Sequence, residues 1–172
     1  MRGRGAISRT APAYRLSGVT PPPFQRFLDA HREDVWRFLV GAVGRDAADD
    51  CFQETFMAAM RAYPRTRVEN PRAWVLTIAH RKALDHHRAR ARRPVPVGAV
   101  PDAPAPEAPS PESGGVWERV SDLPPKQRAA LLLRFAGDLS HREVAAALGC
   151  SEEAARRSAH EGLKRLREEL AA

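Results

Sequence analysis

Between residues 94 and 114 the chain holds seven prolines and three acids with no aromatic residue, so no continuous helix or strand can run through it. Such a segment favours extended polyproline geometry and reads as an acidic, semi-rigid linker. At ~3.3 Å per residue its stretched length is roughly 70 Å, enough to place two modules on well-separated parts of one partner. Residues 1–23 contain the run Pro21-Pro22-Pro23 and little apolar periodicity, and read as a disordered arm. The folded material is therefore expected in two pieces, residues 24–93 and 115–172.

The first piece has helical periodicity throughout. Phe24, Phe27, Leu28, His31, Val35, Phe38, Leu39 and Ala42 recur on one face, and Gly41 to Gly44 marks the end of that helix. Asp46 is expected to begin the next, whose apolar stripe is Ala48, Phe52, Phe56, Ala59 and Tyr63 and which Pro64 closes. Its other face carries Asp46, Asp50, Gln53, Glu54, Met57 and Arg61. Asn70 followed by Pro71 is a cap with proline at the first helical position, and it starts a helix with Trp74, Val75 and Ile78 inward. No β-type alternation occurs anywhere, so the fold class is all-α.

The second piece ends in a helix-turn-helix pattern. Ser140 and Glu143 form a capping box that opens a short helix with Val144, Ala145 and Leu148 on one face. Gly149 stops it, and Ser151 caps a longer helix. In that helix Ala155, Ala159, Gly162, Leu163, Leu166 and Leu170 form a stripe, while Arg156, Arg157, His160 and Lys164 face away. Two helices around a glycine turn, the second with a basic outer face, make duplex DNA the first partner to consider.

Charge points the same way. The chain carries +7, but residues 61–93 alone hold ten Lys/Arg against Glu69 and Asp85, a local excess of +8. A concentration of this kind favours a polyanion, because each neutralised phosphate releases counterions. The bland alternative is a solvated helix end whose cations complement the dipole.

Several classes are set aside. No apolar run approaches a membrane span, and the N-terminus lacks the apolar core of a secretory signal, so a cytoplasmic location is expected. Cys51 and Cys150 lie in different units without a CxxC or Cys/His cluster, so packing is the expected role of both. Asp85-His86-His87 spells a metal-phosphoesterase triplet, but adjacent helical histidines point about 100° apart and cannot share an ion. With no glycine-rich phosphate loop and no nucleophile elbow, neither an enzyme nor a cofactor or metal site is expected.

The residues also carry a resemblance. DAADDCFQETFMAAMR from Asp46, NPRAWVLTIAHRKALDHHRARARR from Asn70, the linker, LPPKQRAALLLRF from Leu123 and the closing helix-turn-helix follow one another in family order. Together they resemble an extracytoplasmic-function (ECF) sigma factor of the bacterial sigma-70 family. The resemblance spans roughly residues 24–170. It implies two helical domains: residues 24–93 as a region 2-like unit that binds core RNA polymerase and opens the −10 element, and residues 115–172 as a region 4-like, four-helix unit that reads the −35 element. It implies core RNA polymerase and promoter DNA as partners, and an anti-sigma factor as a further possible partner.

Carried onto this chain, the resemblance makes Asp49, Asp50, Gln53, Glu54 and Met57 the polymerase-docking residues, against the clamp helices of the largest subunit. Asp50, Gln53 and Glu54 lie at i, i+3 and i+4 and can accept charge-assisted hydrogen bonds from a basic partner. His80, Arg81, Lys82, Asp85, Arg88 and Arg90 are the −10 candidates, with His80 to stack or donate and Asp85 as able to pair with Arg81 at i−4 or Arg88 at i+3 as to contact a base. Ser151, Arg156, Arg157, His160 and Lys164 are the −35 candidates. The chain departs from the family pattern at Arg81, Ala154, Ala155, Ser158 and Glu161, and Gly162 is expected to loosen the last helix. The rival readings are a free-standing helix-turn-helix regulator, which has no use for the Asp50/Gln53/Glu54 face, and a polymerase-binding regulator with weakened promoter recognition.

Overall fold

The computed structural model describes residues 23–63, 68–92 and 116–171. The arm at residues 1–22, Pro64 and the proline-rich linker lie outside the described residues. Within them the first module is α1 (Phe24–Val43), α2 (Arg45–Ala62) and α3 (Pro71–Arg92). The second is α4 (Val116–Asp122), α5 (Pro125–Leu131) running into a π-helical turn at Leu132–Ala136, α6 (His141–Leu148) and α7 (Glu152–Ala171).

Local chemistry sets the ends of these helices. Gly44 turns the chain at φ 83°, which side chains rarely adopt, and α2 begins one residue ahead of Asp46. Asn70 caps α3, its Oδ1 accepting from the Ala73 N–H at 3.1 Å. Both halves of the Ser140/Glu143 capping box are made, and Gly149 closes α6 in the left-handed conformation at φ 67°. Ser151 Oγ accepts from the Ala154 N–H at 3.2 Å at the start of α7. The helix α4 had no periodicity of its own to mark it.

The core of the first module is aromatic at one end. Phe27 lies 5.1 Å from Tyr63 and 5.5 Å from Trp74, ring centre to ring centre, and Phe24 meets Tyr63 edge-on at 5.4 Å. One cluster thus ties the start of α1, the end of α2 and the start of α3, which places Trp74 in packing. Of the residues expected inward on α3, Val75 is buried and Trp74 and Ile78 are partly buried against the core, while Ala73, Leu76, Ala79, His80 and Ala83 are buried as well.

Two glycines let the modules interlock. A Cβ on Gly41 of α1 would lie 2.7 Å from Cδ2 of Leu132, and one on Gly137, just past the π turn, 2.7 Å from Cδ1 of Leu76. Each module therefore contributes one glycine and one leucine to a reciprocal pair of knobs and hollows. Polar bonds run beside them. Arg72 donates from Nε to Asp34 Oδ2 at 2.7 Å and reaches Asp138 of the second module at 3.6 Å. Asp138 takes a left-handed φ of 51° that aspartate tolerates, and it also meets Arg134 at 3.9 Å. The carbonyl of Ala42 accepts from Arg128 Nη1 at 3.3 Å and bonds His87 Nε2 at 2.9 Å.

Gly162 also has a packing role that helix propensity does not show. A Cβ there would sit 3.2 Å from the Gln127 carbonyl oxygen, so the glycine lets α5 approach α7 closely. Leu170, placed on the buried stripe by periodicity, is 51% exposed because α7 outruns the surface it packs against.

Candidate nucleic-acid and partner interfaces

The outward face of α2 is acidic with an apolar margin. Asp49, Asp50, Gln53 and Glu54 are all exposed, and Met57 and Met60 are 48% and 53% exposed beside them. Exposed, polarizable methionines next to carboxylates make a surface able to accept both a basic side chain and an aliphatic one. On the opposite side Thr55 back-bonds the Cys51 carbonyl at 2.6 Å and is fully buried. Burial first, then the Glu54 and Asp50 charges, raise the Cys51 thiol above its usual pKa.

The basic face belongs to α3. Arg81, Asp85, Arg88 and Arg90 are exposed, and Lys82 is half-buried. Asp85 takes Arg88 as its partner, at 3.5 Å. Lys82 Nζ donates to Glu54 Oε2 at 2.9 Å, so a candidate DNA contact and a candidate polymerase contact meet across α2 and α3.

His80 is not on that face. It is 8% exposed, its ring meets Phe38 edge-on at 6.4 Å, and it borders a cavity of about 250 Å³ shared with Arg128, Ala129 and Leu132 of the second module. Burial, with the Arg81 charge adding to it, lowers its pKa to about 4, so the ring is neutral at neutral pH. Stacking or donation to a base, expected from the sequence, is replaced by packing: at helical spacing His80 falls with Leu76 and Ala83 on the buried face.

In the second module α6 and α7 form the helix-turn-helix. Arg156, Arg157, His160 and Lys164 are all exposed along α7. Arg156 Nη2 donates to Glu152 Oε1 at 3.2 Å and Arg157 Nη2 to Glu153 Oε1 at 3.0 Å. Lys164 lies 3.8 Å from Glu168. Cys150, expected to pack, is exposed in the turn; Cys51 is buried. Among the described residues no group of three His, Cys, Asp or Glu side chains is placed to hold a metal ion, and no helix is long and apolar enough to cross a membrane.

Sequence reasoning missed the polar seam. Asp34 is 6% exposed, and its hydrogen bond to Arg72 raises the Arg72 pKa. The available signal was Asp34 standing beside Val35 on the apolar stripe of α1. Phe135, 57% exposed with the Arg134 guanidinium 5.7 Å from its ring centre, was also passed over.

Comparison with known proteins places these features. The family described as Sigma-70 region 2 matches residues 27–93, and the one described as Sigma-70, region 4 matches residues 114–166. Together they cover most of the chain, which belongs to the sigma-70 family of RNA polymerase sigma factors. Within that family it is an ECF sigma factor. It is 37% identical over 148 residues to ECF RNA polymerase sigma factor SigD of Mycobacterium tuberculosis, covering 79% of this chain and 70% of that one. It is 36% identical over 132 residues to SigC of the same species, covering 73% and 71%.

The fold is shared with the sigma factor RpoE solved with the anti-sigma factor NepR from Bartonella quintana, at a TM-score of 0.72 and 21% identity over 87% of this chain and 97% of that one. CnrH, solved with the cytosolic domain of CnrY, gives 0.61 at 22% identity over 86% and 87%. As a sigma factor the chain binds core RNA polymerase and promoter DNA and directs promoter-specific transcription.

Proposed function

We propose that the α2 face formed by Asp49, Asp50, Gln53, Glu54 and Met57 docks on the clamp helices of the polymerase largest subunit. Arg81, Lys82, Asp85, Arg88 and Arg90 of α3 hold the −10 region as it melts, by contact with the backbone and with unstacked bases. Ser151, Arg156, Arg157, His160 and Lys164 present α7 to the major groove of the −35 element. His80 is left out of this set and acts as packing. Residues 24–93 and 115–172 are the two working units, with residues 94–114 as the tether between them.

The observation that carries the reading is the adjoining of an exposed acidic face on α2 and an exposed basic face on α3, bridged by Glu54 and Lys82. A free-standing repressor has no partner for the first. The chain works in the cytoplasm with polymerase, contributes specificity and no covalent chemistry, and is held in check by an anti-sigma factor, as RpoE is seen with NepR.

The test is co-purification with bacterial core polymerase followed by run-off transcription on genomic fragments. Wild type is compared with Asp50→Lys, Gln53→Ala and Glu54→Arg combined. Capture by wild type, loss in the variant and an unchanged helical spectrum support the docking surface. Equal capture by both sinks it. Duplex binding without capture of either protein favours the free-standing regulator.

A further inference from the structure

The helix proposed to read DNA has no net charge. From Glu152 to Ala171 five acids balance five Lys/Arg, whereas residues 61–93 carry +8. Binding by phosphate neutralisation is therefore weak along α7, and whatever this helix adds must come from another source. The distribution of charge within it is also ordered: each arginine of the pair 156 and 157 is held by the acid one turn toward the N-terminus, at 3.2 and 3.0 Å.

Resting on the −35 reading of α7, we propose that Glu152 and Glu153 are specificity-determining positioning residues, which hold Arg156 and Arg157 for base edges and withhold them from phosphate. Exposed pairs at this spacing add little to folding, so stability is not their main effect. Geometry is. A guanidinium has five donors in a fixed fork, and the carboxylate engages one Nη2 of each arginine, leaving other donors to meet guanine O6 and N7 in the groove. A phosphate approaching the same arginine meets the carboxylate charge as well, and at groove distances that repulsion is poorly screened. Both acids lie in the first turn of α7, the part of a recognition helix that enters the groove. The Ser151 cap fixes where that turn begins.

The consequence is a division of labour. The first module supplies salt-sensitive hold, and α7 supplies discrimination with little affinity of its own.

The experiment uses full-length protein bound to core polymerase and a pool of duplexes randomised upstream of one fixed −10 element. Wild type is compared with Glu152→Gln plus Glu153→Gln, and with Arg156→Ala plus Arg157→Ala. Glutamine keeps size and helix propensity, and circular dichroism checks that each variant is folded. The glutamine pair is expected to bind the unselected pool more tightly, with a salt slope steeper by about one to two as the freed arginines reach phosphates. It should also lower the preference for selected over unselected sequences by roughly tenfold, the scale of one good base contact. An unchanged slope and preference in the glutamine pair, with selection lost in the alanine pair, overturns this inference and leaves α7 as the reader. Selection unchanged in the alanine pair overturns the reading of α7 and this inference with it.

Discussion

Asn70 and Glu143, 73 residues apart, share a hydrogen bond of 2.5 Å that joins the cap of α3 to the capping box of α6. Asn70 Oδ1 serves its own helix while Nδ2 donates to Glu143 Oε1, and Glu143 Oε2 accepts from the Ser140 backbone N–H at 2.8 Å. Burial works to raise the Glu143 pKa, but the hydrogen bonds from Ser140 and Asn70 outweigh it and the carboxyl is held below its usual range. Asn70→Ala should cost about 1–2 kcal/mol of stability in urea unfolding, from loss of the cap and of the cross-module bond. Asn70→Asp separates the two roles: the cap survives, a carboxylate faces Glu143, and the modules should part with α3 intact. Hydrogen exchange along α3 and small-angle scattering read the two effects.

Gly41 gives a cleaner handle on the seam. Gly41→Ala places a methyl 2.7 Å from Leu132 Cδ2, while alanine favours the interior of α1 by up to about 1 kcal/mol. Scattering should show a larger radius of gyration with helical content unchanged or raised. An unchanged radius would mean that Leu132 turns aside and the seam tolerates the methyl.

His80 sets an acid limit on the fold. Its pKa is about 4 in the folded chain against an ordinary 6.5, so the unfolded chain binds the proton first as acid is added. Stability from this group is full above pH 6.5 and falls as pH drops toward 4, by on the order of 2–3 kcal/mol. Lowered His31 adds loss in the same direction. Denaturation of His80→Leu beside wild type at pH 7 and pH 5 should show a smaller acid loss in the variant. Equal losses would assign the acid sensitivity elsewhere.

Gly162 predicts an overpacking cost. Gly162→Leu drives a side chain into the Gln127 backbone and should destabilise the second module by about 1–3 kcal/mol despite the better helix propensity. Thermal unfolding of the variant measures it.

The cysteines differ in a way that labelling detects. Cys150 is exposed and should react promptly with a thiol reagent, whereas buried Cys51, with its raised pKa, should react only on unfolding. Cys150→Ser should remove the fast phase.

Helix ends and faces were largely legible because caps are local chemistry: Asn70-Pro71, Ser140 to Glu143, Gly149 and Ser151 each act within one turn. The exposed character of Asp50, Gln53, Glu54, Arg156 and Arg157 followed from periodicity for the same reason. His80 was misplaced because it neighbours the cationic Arg81 and Lys82 in sequence, while its burial depends on Phe38 and the second module. The seam was hidden more completely. Gly41 looked like a helix end, and only the arrival of Leu132 from 91 residues away gives it a packing role.

Those interlocked glycines and leucines bear on what a promoter measurement reports. If a promoter draws the modules apart, Leu132 and Leu76 must be wetted again, and the apparent dissociation constant is the intrinsic one divided by the fraction of molecules already parted. That factor is common to every promoter requiring the separation. Base contacts then decide the ranking of promoters, and the seam decides where the whole ranking falls relative to the cellular concentration of the protein. A substitution at Gly41 would act as a volume control, turning all such promoters up or down together while leaving their order untouched.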